Sequence, residues 1–329
     1  MNTNKESLIN NLKRNPNGVG TFLDCEKDLL WKKEYNVNSW FVIGHAESEN
    51  HTLNFLFHLM LLDFEGQQPV MESVVSITDE TTGWYYGDDI FVPVSDIEIS
   101  EESLNIKMPN GQMSGNLEKM LFKAEIPNGS VDIVAKPVGL PIYNSGTGYF
   151  PLLDMKVHQY SIPTMETSGS ITIEGHTYEI NCTSWFDRQW QNQVSGINGH
   201  WTWMDLNLDN GDKLSLWNVV DDATNIETAW ATVLHEDGTQ SVVTVEPLKN
   251  GESEYWTSEK SNQKYPTQWI VKIPEYDACL KVISSPKEQE IVSAMPTLNK
   301  YEGASKVSGT YRGKEVKGYC YVELVGYWR

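Results

Sequence analysis

The sequence lacks the patterns that announce a bound cofactor. It contains no G-x-G-x-x-G, Walker A loop, H-E-x-x-H or G-x-S-x-G elbow, so dinucleotide, nucleotide, zinc-peptidase and α/β-hydrolase readings have no support. Cysteine is sparse: Cys25, Cys182, Cys279 and Cys320 stand far apart, with no C-x-x-C and no histidine at zinc-site spacing. Positive charge is short too. Twenty-five Lys and Arg against 45 Asp and Glu leave a net charge of −20, which argues against nucleic acid or an anionic membrane surface as partner. Long apolar runs are missing. The longest, LNFLFHLMLLDF at 53–64, is too short to span a bilayer, and the first twenty residues carry no apolar signal-peptide core. The N-x-S/T triplets at Asn50, Asn128 and Asn181 then read as chance matches. A cytoplasmic, cofactor-free protein without membrane insertion is expected, as a monomer or homodimer.

What is present is aromatic surface and β pattern. Twelve Trp, 15 Tyr and 9 Phe fill a core for the most part, and some can line a cavity for a large apolar ligand. ITIEGHTYEI (171–180) alternates apolar and polar residues on either side of a Glu-Gly turn. WTWMDLNLDNGDKLSLWNV (201–219) does so around Asp209-Asn210-Gly211. Turn dipeptides recur at Asn110-Gly111, Asn128-Gly129, Asp237-Gly238, Asn250-Gly251 and Arg312-Gly313, as in antiparallel sandwiches or barrels. Helix is expected only over the first fourteen or so residues and parts of 98–106. A chain of 329 residues is long for one core, and the polar stretch QNQVSGING at 191–199 is the expected seam. The domains are therefore expected at 1–194 and 195–329.

The segment SWFDRQW (184–190) puts an acid and a base inside an aromatic fence. Strand alternation sends Asp187 and Arg188 to opposite faces, so each needs its own explanation. The terminal segment GYCYVELVGYW places Tyr319, Tyr321 and Glu323 on one face and Cys320, Val322 and Leu324 on the other. Glu302 and Glu323 read as buried, hydrogen-bonded carboxylates that fix strand geometry.

The chain resembles the hydroxyneurosporene synthase (carotenoid hydratase) and AttH-like family in seven stretches that keep the family's order. These are SWFVIGHAES (39–48), VVSITDETTGWYY (74–86), VHQYSIPTMETSGSITIEGHTYEINCTSWFDRQW (157–190), HWTWMDLNLDNGDKLSLWNV (200–219), YPTQWIVKIP (265–274), KYEGASKVSG (300–309) and GYCYVELVGYW (318–328). The resemblance implies an all-β fold of two lipocalin-like antiparallel β-barrel or sandwich domains. It also implies a ligand cavity at or near their junction, and no metal or redox cofactor. It does not imply one reaction, because relatives include carotenoid and isoflavonoid (kievitone-hydratase-like) hydratases, fungal decalin-forming Diels–Alderases, and AttH-like proteins of unsettled activity.

Carried over residue by residue, the resemblance makes Asp187, His158 and Tyr160 the candidate catalytic groups. Asp187 would donate a proton, kept on it by the apolar setting of Trp185, Phe186 and Trp190. His158 would hold that proton in line or take one back, and Tyr160 would stabilise a cation. Trp185, Trp190, Trp40, His45, His200, Trp201, Trp203, Tyr319 and Tyr321 are the candidate substrate-binding residues. The bland alternative is an ionised Asp187 paired with a cation elsewhere. Gln189 and Gln191 stand where hydratases often carry an acid or Asn and a Gly. That departure favours a cofactor-free cyclase folding a polyene, polyketide or terpenoid until its reacting ends meet. A hydratase or protonation-initiated cyclase using Asp187 comes second, and a non-catalytic carrier of a hydrophobic ligand third.

Overall fold

A computed structural model describes residues 23–193 and 196–328. They form an all-β protein with two antiparallel sheets. The chain divides into two compact units, Met1–Phe150 with Met155–Val194, and Pro151–Asp154 with Ser195–Arg329. The helix expected near the N-terminus lies outside the described residues. The one expected within 98–106 is instead two strands, Glu98–Ile99 and Leu104–Met108, which pair with their neighbours. Alternation wins there: Leu104, Ile106 and Met108 are buried while Lys107 points out, a period of two that no helix face could use.

In the first unit the main path of the sheet runs Trp84–Pro93, Val70–Asp79, His51–Leu62, Val37–Ser48, His176–Asn192, Met155–Ile173, Gly129–Pro137, Lys119–Ile126, Gly111–Asn116, Leu104–Met108 and Glu98–Ile99. In the second it runs Gln240–Thr244, Ile226–Leu234, Lys213–Asp221, Gly199–Leu208, Lys314–Gly326, Lys300–Tyr311, Ala278–Ser284, Lys264–Ile273 and Ser253–Thr257. The plan is the same twice: the last long strand of each unit returns to pair with the first (Val37↔Gln191, His200↔Gly326).

The turns follow their residues. Glu174 and Gly175 both have positive φ, +49° and +84°, as a two-residue turn matching strand twist requires, and they join Met155–Ile173 to His176–Asn192. Each unit's penultimate long strand also carries a glycine with positive φ, +147° at Gly169 and +153° at Gly309, where a neighbouring strand passes close. A Cβ on Gly169 or Gly309 would come within 2.1 Å of a neighbouring strand's carbonyl oxygen, Asp132 O or Cys279 O.

Each sheet buries one face in its own aliphatic and aromatic core. Trp40, Val42, Phe57, Tyr160, Phe186 and Trp190 belong to the first, and Met204, Leu216, Trp269, Val322 and Leu324 to the second. The strand His176–Asn192 begins in alternation and then buries both faces from Ser184 to Arg188. That double burial is why SWFDRQW carries aromatics at successive rather than alternate positions.

Candidate functional site

Register assigns the faces. Opposite residues of an antiparallel pair share a face, and Tyr160↔Arg188, His158↔Trp190 and Trp40↔Arg188 therefore group His158, Tyr160, Arg188, Trp190 and Trp40 on the core side. Ser161↔Asp187, Gln159↔Gln189 and Phe41↔Asp187 put Asp187, Trp185, Gln159 and Phe41 on the other side. The expected trio of Asp187, His158 and Tyr160 is thus split across the sheet. His158 and Tyr160 stand an odd number of residues from Ser161, the partner of Asp187, and so face the opposite side of the sheet.

On the Asp187 side the carboxylate is 5% exposed and each oxygen has its own N–H donor. Trp185 Nε1 donates to Oδ1 at 2.6 Å and Gln159 Nε2 to Oδ2 at 3.0 Å. The indole reaches Asp187 because residues two apart on a strand are neighbours on one face. Buried polar groups continue around this acid. Ser39 Oγ and His58 Nε2 lie 2.7 Å apart, His58 meets the Phe41 ring edge-on, and Asn144 Nδ2 donates to Ser161 Oγ at 3.1 Å. His45 lies half-buried on the same face as Phe41.

On the core side Arg188 is fully buried. Its guanidinium lies between Trp40, 4.3 Å from the ring centroid, and Trp190, 5.0 Å away. Its hydrogen-bond acceptors are neutral oxygens: Leu30 O at 2.7 Å, Asn38 Oδ1 at 2.8 Å, Gln189 O at 2.6 Å and Ser39 O at 3.3 Å. Burial pulls its pKa down to about 9. Nearby side chains pin the segment that precedes the first strand in the same way. Tyr160 O–H donates to Cys25 O at 2.9 Å, Trp40 Nε1 to Leu29 O at 2.7 Å, and Asn38 Nδ2 to Lys32 O and Tyr35 O. Tyr160 and Trp40, expected as cation stabiliser and ligand wall, are thus committed to holding backbone. Sequence reasoning could not foresee this, since it requires knowing where residues 25–35 run.

His158 stacks on Trp190 with ring centroids 5.2 Å apart and planes 3° from parallel, with Tyr35 edge-on at 5.3 Å and Tyr149 tilted at 4.7 Å. Burial pushes its pKa below the usual 6.5. The native state then binds its proton less tightly than the unfolded chain. Stability is unaffected by this residue above about pH 6.5 and falls as pH drops from there through the folded pKa. Replacing His158 with Phe should flatten part of the stability loss between pH 7 and 5, read from denaturant midpoints. His200, also shifted down by burial, contributes a loss of the same sign.

The other expected residues fall in the second unit. Trp201 Nε1 donates to Glu323 Oε1 at 2.9 Å and Trp203 Nε1 to Ser215 Oγ at 3.0 Å. Tyr321 lies fully buried, on the face it shares with Tyr319 and Glu323, and its backbone N–H donates to Asp205 Oδ1 at 2.5 Å. His200 packs edge-on against Trp328 and lies 3.6 Å from Asp222. Among the described residues no group of three or more His, Cys, Asp or Glu could hold a metal, and none of the four cysteines is in a disulfide. No described helix is long and apolar enough to cross a membrane.

Two antiparallel sheets of matching plan, with a buried carboxylate clasped by an indole and an amide, define an all-β protein built around a Trp-Phe-Asp motif. The chain belongs to the AttH-like family, whose pattern it matches over residues 23–327. Among curated proteins it is 29% identical over 224 residues to the dehydratase asqC of Emericella nidulans, covering 65% of this chain and 63% of that one. It is 27% identical over 244 residues to the kievitone hydratase of Fusarium solani subsp. phaseoli, covering 71% and 69%. Among solved structures, a putative AttH from Nitrosomonas europaea superposes with a TM-score of 0.81 at 19% identity, over 95% of this chain and all of that one.

Proposed function

We propose that the protein is a hydro-lyase, adding water to or removing it from a hydrophobic small molecule, with Asp187 as the group that moves the proton. The observation that carries this reading is the carboxylate itself: buried, on a rigid two-sided strand, and oriented by one N–H donor on each oxygen. In a dehydration the proton lost from carbon and the proton gained by the departing hydroxyl cancel. One carboxyl group that takes the first and returns the second closes the cycle, and hydration is the same path reversed. Trp185 and Gln159 set the direction of its lone pairs, and the aromatic surroundings limit competing water. The two curated relatives, named for removing and for adding water, support this choice over the pericyclic cyclisation favoured from sequence. Pericyclic chemistry would also leave the double clasp on Asp187 without a task.

Incubation with kievitone and with a panel of apolar alkenes and tertiary alcohols in ¹⁸O-labelled water tests the reading. The expected result is a product heavier or lighter than its substrate by one water, with label entering the hydrated form. A cyclised product of unchanged mass and no label would replace this reading with the cyclase. Bound but unaltered ligands throughout would replace it with the carrier.

A further inference from the structure

Away from Asp187, the second unit carries a second constellation in a recess of about 600 Å³. It forms where three neighbouring strands end together. Asp212 precedes Lys213–Asp221, His235 follows Ile226–Leu234, and Ser241 lies on Gln240–Thr244, the strand reached through a tight turn closed by His235 N–H on Thr239 O. Nothing in the hydro-lyase reading uses these residues.

Their geometry is directional. Asp212 Oδ2 lies 3.0 Å from His235 Nδ1 and accepts Tyr311 O–H at 2.8 Å, and Oδ1 accepts the Glu236 N–H at 3.1 Å. Arg312 Nη2 also lies 3.4 Å from Nδ1, but the shorter contact to the carboxylate acceptor assigns the proton to Nδ1 and the lone pair to Nε2. That lone pair faces Ser241 Oγ at 3.0 Å, with Tyr276 O–H 3.2 Å from the same nitrogen. Asp212 and His235 side chains are only 7% and 10% exposed, which strengthens their interaction, while Ser241 is half-buried and lines the recess. Arg312, stacked on Tyr276 at 4.4 Å, and Lys314 line it too and bring positive charge to a recess otherwise rich in carboxylates.

We infer that Asp212, His235 and Ser241 form a nucleophile–base–orienter triad, and that the recess takes small polar carboxylic esters. Ser241 Oγ attacks the ester carbonyl carbon and passes its proton to His235 Nε2, while Asp212 steadies the imidazolium. The carbonyl–alkoxy bond breaks and the alkoxide leaves as the alcohol with the proton from His235. Water, deprotonated by His235, then cleaves the acyl–Oγ bond to give the carboxylic acid and restore Ser241. Negative charge on the carbonyl oxygen is met by the cations of the recess. No nucleophile elbow is needed, because the turn at 235–239 sets the serine against the histidine.

The test uses the full chain, an alkyl fluorophosphonate and p-nitrophenyl acetate. The expected result is one phosphonyl group per chain, mapped by peptide mass spectrometry to Ser241 and absent in Ser241→Ala. p-Nitrophenyl acetate hydrolysis should fall about 100-fold in Ser241→Ala and in His235→Gln, with both variants keeping the wild-type circular dichroism spectrum. No label, label on another residue, or hydrolysis unchanged by Ser241→Ala would overturn the triad. Ester hydrolysis and water addition are separate reactions read separately, so failure here leaves the hydro-lyase reading standing, and the reverse holds.

Discussion

In Asp187→Asn, hydro-lyase turnover should fall about 10²- to 10⁴-fold, the range that a positioned acid–base group contributes, while thermal stability stays near that of the wild type. The substitution keeps the shape of the side chain and removes only its ability to carry a proton. One of its two polar atoms then becomes a donor. Trp185 Nε1–H can donate only, so the amide oxygen takes the Oδ1 position at 2.6 Å. The new NH2 faces Gln159, whose Oε1 has no hydrogen-bond partner and can turn to accept it. Asp187→Ala is the contrast. It leaves the indole and amide donors buried without acceptors, at about 1–3 kcal/mol each. That variant should lose both turnover and melting temperature. Steady-state kinetics beside thermal unfolding of the two variants checks the prediction. A less than tenfold loss in the asparagine variant would move Asp187 out of the chemistry and leave it a strand-fixing carboxylate.

The difference between these two variants shows what was readable in the residues. The strands, their Glu-Gly and Asp-Asn-Gly turns, and the opposite orientation of Asp187 and Arg188 follow from a period of two and turn chemistry, both local properties. The same alternation would have separated His158 and Tyr160 from Asp187 had the register of the neighbouring strand been known. Register is set by where a hairpin turns and how the chain returns, and the pairing Ser161↔Asp187 spans 26 residues. Resemblance grouped the three by family pattern, while the sheet divides them by face. Gln159 was missed for a related reason: a glutamine on a strand carries no signal until a buried acid is found beside it. The Asp212, His235 and Ser241 cluster was missed because its members sit at three turn ends, each unremarkable alone. In the parts of 98–106 expected to be helical, the alternation of buried Leu104, Ile106 and Met108 outweighs weak helix propensity and gives strands instead.

Arg188→Ala should be strongly destabilising, on the order of 3 kcal/mol, which for a unit of this size is about 6–12 °C in melting temperature. The guanidinium gathers Leu30 O, Asn38 Oδ1, Gln189 O and Ser39 O, four oxygens from three separate stretches of chain. Its removal takes a donor from each of them, although Asn38 Oδ1 still accepts the Lys32 N–H, and empties the space between Trp40 and Trp190. The charge itself costs desolvation, seen in the pKa drawn down to about 9, and the two indole faces offset that cost. Lysine should not rescue the variant. A single ammonium at the end of a flexible stem cannot reach Leu30 O and Gln189 O together, nor lie flat between two rings. The loss should show first in the segment before residue 37, because Leu30 O is released while Leu29 O and Cys25 O keep their donors. Amide exchange around residues 29–36 should therefore rise well before that of the strand core, in both Arg188→Ala and Arg188→Lys. Uniform exchange across the unit, or a melting temperature restored by lysine, would show that Arg188 acts through its charge alone and not through the planar fork that ties the segment to the sheet.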